Sequence, residues 1–280
     1  MPTRTIQMDS QLLTAVQTCA LKAHYSYNRN LRLSGEVPEA IERGDLGHQM
    51  LEIFYVMLQK NEPFADAQEA AIVHGRKHYA GLSLDISVAE WMVETFRQYT
   101  EHFKTDGIEV LDVERAFIDQ IYEDDELAIF YTGKIDLVCN LPGGLNGIWI
   151  DHKTRARKND ETNLNNQFMG YSNTLSAPVG YVNEIGLQTS KKPSEKFRRI
   201  PLSFSKGLLS HWVKNTIYWG KQLDFYLQNQ TWPQQFNPMI CKGCVFAGLC
   251  QSDNDEVREF KIQTQFYERV WDPTASLGEG

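Results

Sequence analysis

Two aspartates and a lysine are the residues best placed to do chemistry. Asp136 lies in Gly133-Lys134-Ile135-Asp136-Leu137-Val138, and fifteen residues later comes Asp151-His152-Lys153-Thr154. Both carboxylates sit in or at the ends of apolar, strand-like runs, where an ionised acid is costly to desolvate without a cation beside it. Neighbouring strands would hold the two acids together, which suits a hard divalent cation such as Mg²⁺. Residues two apart on a strand share a face, so Lys153 points the same way as Asp151. A metal acidifies its bound water, and a lysine positions that water or offsets charge developing on a phosphate. The trio therefore suits phosphodiester hydrolysis. A structural ion pair at a strand end is the plainer reading of Asp151 and Lys153 alone; Asp136 upstream reverses it.

Other residues fit around that trio. His48, four residues after Gly44, falls in the early turns of an expected helix. Imidazole complements two carboxylates as a ligand, and Gly44 and Gly47 allow close backbone approach. Gln167 and Tyr171 are spaced i, i+4 on the helix expected after the Asp151 strand, so they face one way. Both can hydrogen-bond phosphate or base edges, and tyrosine can stack on a base. Two basic stretches, Arg155 with Arg157 and Lys158, and Lys191, Lys192, Lys196, Arg198 and Arg199, read alone as solvated loops, and beside a phosphodiester-cleaving site they would engage the nucleic-acid backbone.

Five cysteines form a second motif. Cys241, Cys244 and Cys250 have C-x2-C-x5-C spacing, while Cys19 and Cys139 stand apart. An odd count without a secretory signal argues against a disulfide framework and for a metal or cluster in a reducing compartment. Cys19, in an N-terminal helix among polar and aromatic residues, is the better fourth ligand. Cys139 follows an apolar strand and reads as a small buried hydrophobe. Zinc usually takes two C-x2-C pairs, so this spacing leans to iron–sulfur while leaving zinc open. Either would staple the N-terminal helix to the C-terminus.

The elements that must position these residues follow from the hydropathy pattern. Helical spacing covers 10–28, with Asp9 or Ser10 as N-cap, then 38–60, 67–79 with Asp66 as N-cap, and 88–103. The period then shifts to that of strands at 108–118, 127–131, 134–139 and 148–150, mostly antiparallel. A helix at 163–175, strands at 181–187 and 199–204 and a long helix at 205–227 follow. The expectation is an α/β fold, a mixed central sheet flanked by helices, forming one domain over 1–280. Its helical region is 1–106, its sheet core 107–204 and its C-terminal helix and cysteine segment 205–280.

Composition limits the function classes. The 280 residues carry 28 Lys+Arg against 36 Asp+Glu, a net charge of −8, with 42% hydrophobic residues. That is an ordinary globular balance, and its acidity argues against a passive coat on nucleic acid while allowing an enzyme that grips phosphate locally. No apolar run approaches the roughly 20 residues needed to cross a bilayer, so no membrane partner and a cytoplasmic location are expected. No residue pattern fixes an oligomeric state.

In this order the motifs resemble the RecB-type branch of the PD-(D/E)xK nucleases, specifically its iron–sulfur members such as AddB-type and CRISPR-adaptation exonucleases. The resemblance runs from Cys19 through His48, Asp136, Asp151-His152-Lys153, Gln167-x-x-x-Tyr171 and Cys241 to Cys250. It implies a restriction-endonuclease-like fold and a Mg²⁺ or Mn²⁺ ion on His48, Asp136, Asp151 and the backbone carbonyl of His152. It implies Lys153 as catalytic lysine, and Gln167 and Tyr171 as groups that support the site and contact DNA. It implies a [4Fe–4S] cluster on Cys19, Cys241, Cys244 and Cys250, and is similar at Glu114 to an acid often found there. Two departures stand out: Ala20 replaces the usual proline after the first cysteine, and His152 replaces a bulky apolar residue. No G-x-x-x-x-G-K-[ST] phosphate loop is present, so a helicase or recombination motor would come from another chain. The expected activity is DNA hydrolysis, exonucleolytic on ends or single strands. A DNA-binding or assembly module that keeps the fold without chemistry is the alternative, and a zinc-stapled protein of unrelated function a third.

Overall fold

A computed structural model of the chain describes residues 2–35, 37–156, 164–188 and 191–272. In chain order it contains β1 (Arg4–Met8), α1 (Ser10–Thr18), α2 (Ala20–Ala23) and a π-turn (His24–Asn28). Next come β2 (Leu31–Leu33), α3 (Glu39–Gln59), α4 (Phe64–Tyr79), α5 (Ile86–His102), β3 (Glu109–Glu123), β4 (Leu127–Leu141) and β5 (Leu145–Arg155). These are followed by α6 (Asn166–Thr174), β6 (Val179–Gly186), α7 (Pro193–Lys196), β7 (Phe197–Ser203) and α8 (Lys206–Asn229). The chain closes with α9 (Pro238–Cys241), α10 (Ala247–Cys250), α11 (Asp255–Gln265) and β8 (Phe266–Glu268). This is the expected α/β architecture with a mixed sheet and flanking helices. No helix among the described residues is long and apolar enough to cross a membrane.

The chain forms two compact units, each assembled from segments distant in sequence. The first takes the described residues of Met1–Gly35, Phe117–Gly133 and Ser210–Ser276. In it β1 pairs in parallel with the first half of β4, from Arg4 opposite Leu127 to Met8 opposite Tyr131. Helix α8 covers that pair: a Cβ on Gly220 would lie 2.8 Å from Ile129, a closeness only glycine permits. Ile6, Met8, Leu12, Val16, Ile129 and Leu223 form the core beneath it. A second small core of Tyr25, Leu31, Phe246, Leu249, Ile262 and Phe266 supports the cysteine segment.

The second unit takes the described residues of Glu36–Ala116 and Lys134–Leu209. Its sheet runs β4–β5 antiparallel, β5–β6 parallel and β6–β7 antiparallel. Strand β5 alternates faces as its pleat requires. Ile148 and Ile150 join Leu46, Met50, Phe54 and Phe96 in the core under α3 and α5. Trp149 points the other way, stacks on Phe168 of α6 at 5.2 Å, and donates from its indole to Ser172 Oγ at 2.8 Å.

Three expectations change. The helix expected over 10–28 breaks at Cys19, whose backbone is extended at φ −165° and ψ 114°. The strands expected at 127–131 and 134–139 are one strand, β4, because Gly133 serves close approach rather than a turn. A Cβ there would lie 3.0 Å from the Phe117 ring. Helix α4 starts at Phe64, following Pro63, rather than after Asp66. Strands β1, β2 and β8 were not expected; at three to five residues they offer too short a period to register.

Candidate active site

The acid and lysine come from the strands of the second unit, where pleat and register set their directions. Asp136 projects from β4, and its Oδ2 accepts a hydrogen bond from the backbone N–H of His152 at 2.8 Å. Asp151 and Lys153 share the Trp149 face of β5. Lys153 Nζ lies 2.8 Å from Asp151 Oδ2. Helix α3 brings in His48, whose Nδ1 is 3.6 Å from Asp136 Oδ2. The glycine before it makes this possible, since a Cβ on Gly47 would lie 3.0 Å from Thr154 Cγ2 on β5. Glu114 enters from β3 at a left-handed φ of 51°, and Lys134 Nζ holds its Oε2 at 2.9 Å.

One group of ligand atoms results. His48, Glu114 and Asp136 each offer a donor within 4.8 Å of the other two. Asp151 is not in that group; it is fully buried beside Lys153, and its Oδ1 has no hydrogen-bond partner among the described residues. Three carboxyl groups, Glu114, Asp136 and Asp151, gather here with two amines, Lys134 and Lys153. Burial, with the like charge of Asp151 next, pushes the Asp136 carboxyl well above the usual carboxylate range. Burial and then Lys153 push His48 below the usual imidazole value, which keeps it in the neutral, ligating form. Burial opposes the charge on Lys153, but Asp151 and Asp136 outweigh it and hold that pKa above normal. A buried, electron-rich donor set with an orphaned carboxylate oxygen fits a divalent cation.

Helix α6 orients the lysine. Lys153 Nζ reaches Gln167 Oε1 at 3.4 Å, Gln167 Nε2 donates to the Tyr171 hydroxyl at 2.7 Å, and that hydroxyl donates to the Lys134 carbonyl at 2.7 Å. The relay ties β5, α6 and β4 together around the ammonium. Asn165 caps α6 by accepting from Gln167 N at 2.8 Å, which fixes where the relay starts.

A model of the PD-(D/E)XK nuclease superfamily matches residues 11–251 of the chain. The chain belongs to the PD-(D/E)XK nuclease superfamily. That membership carries metal-dependent nuclease chemistry, and the His48, Glu114 and Asp136 group gives this nuclease a possible metal site. Among 22 solved chains similar to the nuclease is the crystal structure of SSO0001. The two are 11% identical over 91% of each chain, with a TM-score of 0.39. No curated protein matches the nuclease.

The remaining expected residues fall in three places. In the first unit of the nuclease, Cys19, Cys241, Cys244 and Cys250 line one pocket. Burial and then Cys244, Cys19 and Cys241 raise the Cys250 thiol pKa. Cys139 is buried in the other unit's core, and burial pushes its thiol up to about 12. Arg155 has its guanidinium 3.8 Å from Glu184, which is 1% exposed and also held by Arg198 at 2.8 Å. Arg199 pairs with Asp106 at 2.7 Å and Lys196 Nζ donates to Gln98 at 3.2 Å, so three cations of the second basic stretch are engaged within the fold. Arg157 and Lys158 lie outside the described residues.

Two contributions were weakly signalled or silent in the sequence. Glu114 carried only a resemblance, because its place in the ligand group depends on a backbone twist with no local signature. Asn183 gave no signal at all, yet its side chain sits 3.2 Å from His152 Nδ1.

Proposed function

We propose that this nuclease hydrolyses phosphodiester bonds of DNA, acting as an exonuclease on ends or single strands. The observation that carries the reading is the juxtaposition of the His48, Glu114 and Asp136 donors with the Lys153–Asp151 pair in one unit. His48, Asp136 and Asp151 with the His152 carbonyl would hold Mg²⁺ or Mn²⁺, and Glu114 joins them. The bound ion supplies Lewis acidity at phosphate and an acidified water. Lys153, held by Asp151 and Gln167, orients the attacking water and offsets charge developing on the phosphate. Gln167 and Tyr171 position that lysine and offer polar groups to the strand, and the basic residues Arg155, Arg157 and Lys158 would engage its backbone.

The RecB-type resemblance supports the exonuclease mode and a structural [4Fe–4S] cluster on Cys19, Cys241, Cys244 and Cys250. The turn at Cys19 and the pocket these four thiols share support the cluster further. A reducing, cytoplasmic setting and a motor supplied by a helicase or recombination partner belong to the same reading.

End-labelled linear and covalently closed circular DNA, single- and double-stranded, test it with anaerobically purified protein in Mg²⁺ or Mn²⁺ and in chelator. Metal-dependent loss of linear DNA alone is expected, falling at least a hundredfold in Lys153→Ala and Asp136→Ala. Full activity in either variant would falsify the catalytic assignment. Cleaved circles would make it an endonuclease, and no cleavage by folded protein would favour a binding module. Iron and acid-labile sulfide in a brown preparation support the cluster; stoichiometric zinc in a colourless one overturns it.

A further inference from the structure

The first unit holds an aromatic pocket of about 160 Å³ that neither the metal group nor the cysteines use. Its walls are Tyr27, Trp232 and Trp271, its floor includes Leu223, and Gln7 and Asn28 sit exposed at its rim. Tyr27 and Trp271 meet edge to face, 5.4 Å between centroids with planes 88° apart. His24 packs on Trp232 at 4.7 Å, and Asn30 Oδ1 accepts from the Trp271 backbone N–H at 3.0 Å. The cage is therefore anchored on several sides, and a ligand would meet it largely formed.

The lining chemistry narrows the occupant. Among the described residues no charged side chain lines the pocket itself, although Arg32 lies over the Tyr27 ring at 5.9 Å and Asp9 hydrogen-bonds Trp271. An aromatic cage also suits a quaternary ammonium. Against that, no carboxylate is among the lining residues to balance a cation, while the Gln7 and Asn28 amides offer donors and acceptors to the edge of a neutral heterocycle. The volume is close to the roughly 150 Å³ that admits a benzene ring, so it takes one flat ring system and no attached sugar–phosphate.

A neutral, flat heterocycle with edge acceptors meets all of these conditions. We propose that this pocket takes a nucleobase of a single strand, stacked on one ring of the perpendicular Tyr27–Trp271 pair and edge-on to the other, its phosphates left outside. The Gln7 and Asn28 amides meet the base edge. Every base has a π-face, so the pocket holds strands with little regard to sequence. The proposal rests on the reading of DNA as substrate.

The test uses the full, cluster-loaded chain and a fluorescein-labelled single-stranded 12-mer in EDTA, which separates binding from cleavage. Trp271→Ala and, independently, the exposed Gln7→Ala are compared with wild type by anisotropy. About tenfold weaker binding is expected for Trp271→Ala and a smaller loss for Gln7→Ala. A 12-mer without bases should bind all three proteins alike. Adenosine should quench wild-type tryptophan fluorescence and lose that effect in Trp271→Ala. Unchanged 12-mer binding in both folded variants, or equal loss for the abasic strand, overturns the base pocket. If wild type then still cleaves DNA, the nuclease reading stands without it. Quenching by adenosine in a protein that fails to cleave supports the pocket and removes the nuclease reading instead.

Discussion

The imidazole of His152 lies flat against the Tyr55 ring, centroids 5.4 Å apart and planes within 11° of parallel. This residue serves two faces of β5 at once. Its backbone N–H fixes the Asp136 carboxylate, while its side chain is driven into the core of the other face. Burial, with His48 next, pushes its pKa well below the usual imidazole value, so the ring is neutral. Asn183 Nδ2 meets His152 Nδ1 at 3.2 Å and also donates to the Tyr99 hydroxyl, which pairs with that of Tyr55 at 2.8 Å. Helices α3 and α5 thus grip the strand carrying the acid and the lysine through its one histidine.

Replacing that histidine separates the two duties. His152→Phe keeps the stack on Tyr55 and removes an Nε2 that has no partner among the described residues. Its stability should stay within about 1.5 kcal/mol of wild type with cleavage retained, because only the backbone faces Asp136. His152→Ala leaves a cavity and should cost roughly 2–4 kcal/mol. Urea unfolding with a parallel cleavage assay checks both; an inactive, stable Phe variant would assign the imidazole itself a role in the chemistry.

Glu114 invites the opposite trade. A glutamate at φ 51° stores strain that glycine would not, at a site crowded by Asp136. Glu114→Gly should raise metal-free stability by about 1 kcal/mol although it breaks the Lys134 ion pair, and it should lower cleavage tenfold or more. Lower stability together with full activity would show that Glu114 is a structural anchor for Lys134.

The sequence exposed those parts of the site that depend on strand pleat. Asp151 and Lys153 had to share a face, and they stand 2.8 Å apart. Gln167 and Tyr171 had to meet on one helix face, and they hydrogen-bond at 2.7 Å. What depends on long-range geometry stayed hidden. Glu114 joins His48 and Asp136 in one group of donor atoms through a left-handed residue on β3, which no sequence pattern marks. Arg155, a candidate DNA contact, also has its guanidinium 3.8 Å from Glu184 of β6, a pairing that depends on long-range strand order. The break at Cys19 had no signal in its neighbours, since Ala15 and Ala20 are strong helix formers.

Support from beneath the site is equally testable. Gly180 of β6 lies under Trp149, and a Cβ there would fall within the indole ring itself. Trp149 cannot yield, because Phe168 and Ser172 hold it on the far side. Gly180→Ala should cost about 3 kcal/mol or more and shift α6, taking Gln167 away from Lys153. Trp149→Phe combined with Gly180→Ala should recover part of the loss. A single Gly180→Ala variant with an unchanged melting temperature would refute this packing.

Metal and folding should be linked through Asp136. Its carboxyl is raised above the unfolded value of 3.8 chiefly by burial, so the metal-free fold disfavours the carboxylate. A raised acid binds more protons folded than unfolded, so this contribution weakens stability as pH climbs above about 4. Asp136→Asn removes that penalty, while its amide oxygen can still accept from His152 N–H. At pH 7 without metal, the variant should therefore be more stable than wild type, and the gap should close toward pH 4. Mn²⁺ at a hundred times its Kd should add about 2.7 kcal/mol to wild type, because it binds the folded carboxylates. The same addition should leave Asp136→Asn nearly unmoved. Thermal unfolding across pH with and without Mn²⁺ reads all four conditions. An equal Mn²⁺ shift in both proteins would place the ion away from Asp136, and a metal-free variant less stable than wild type at pH 7 would reverse the sign assigned to that buried charge.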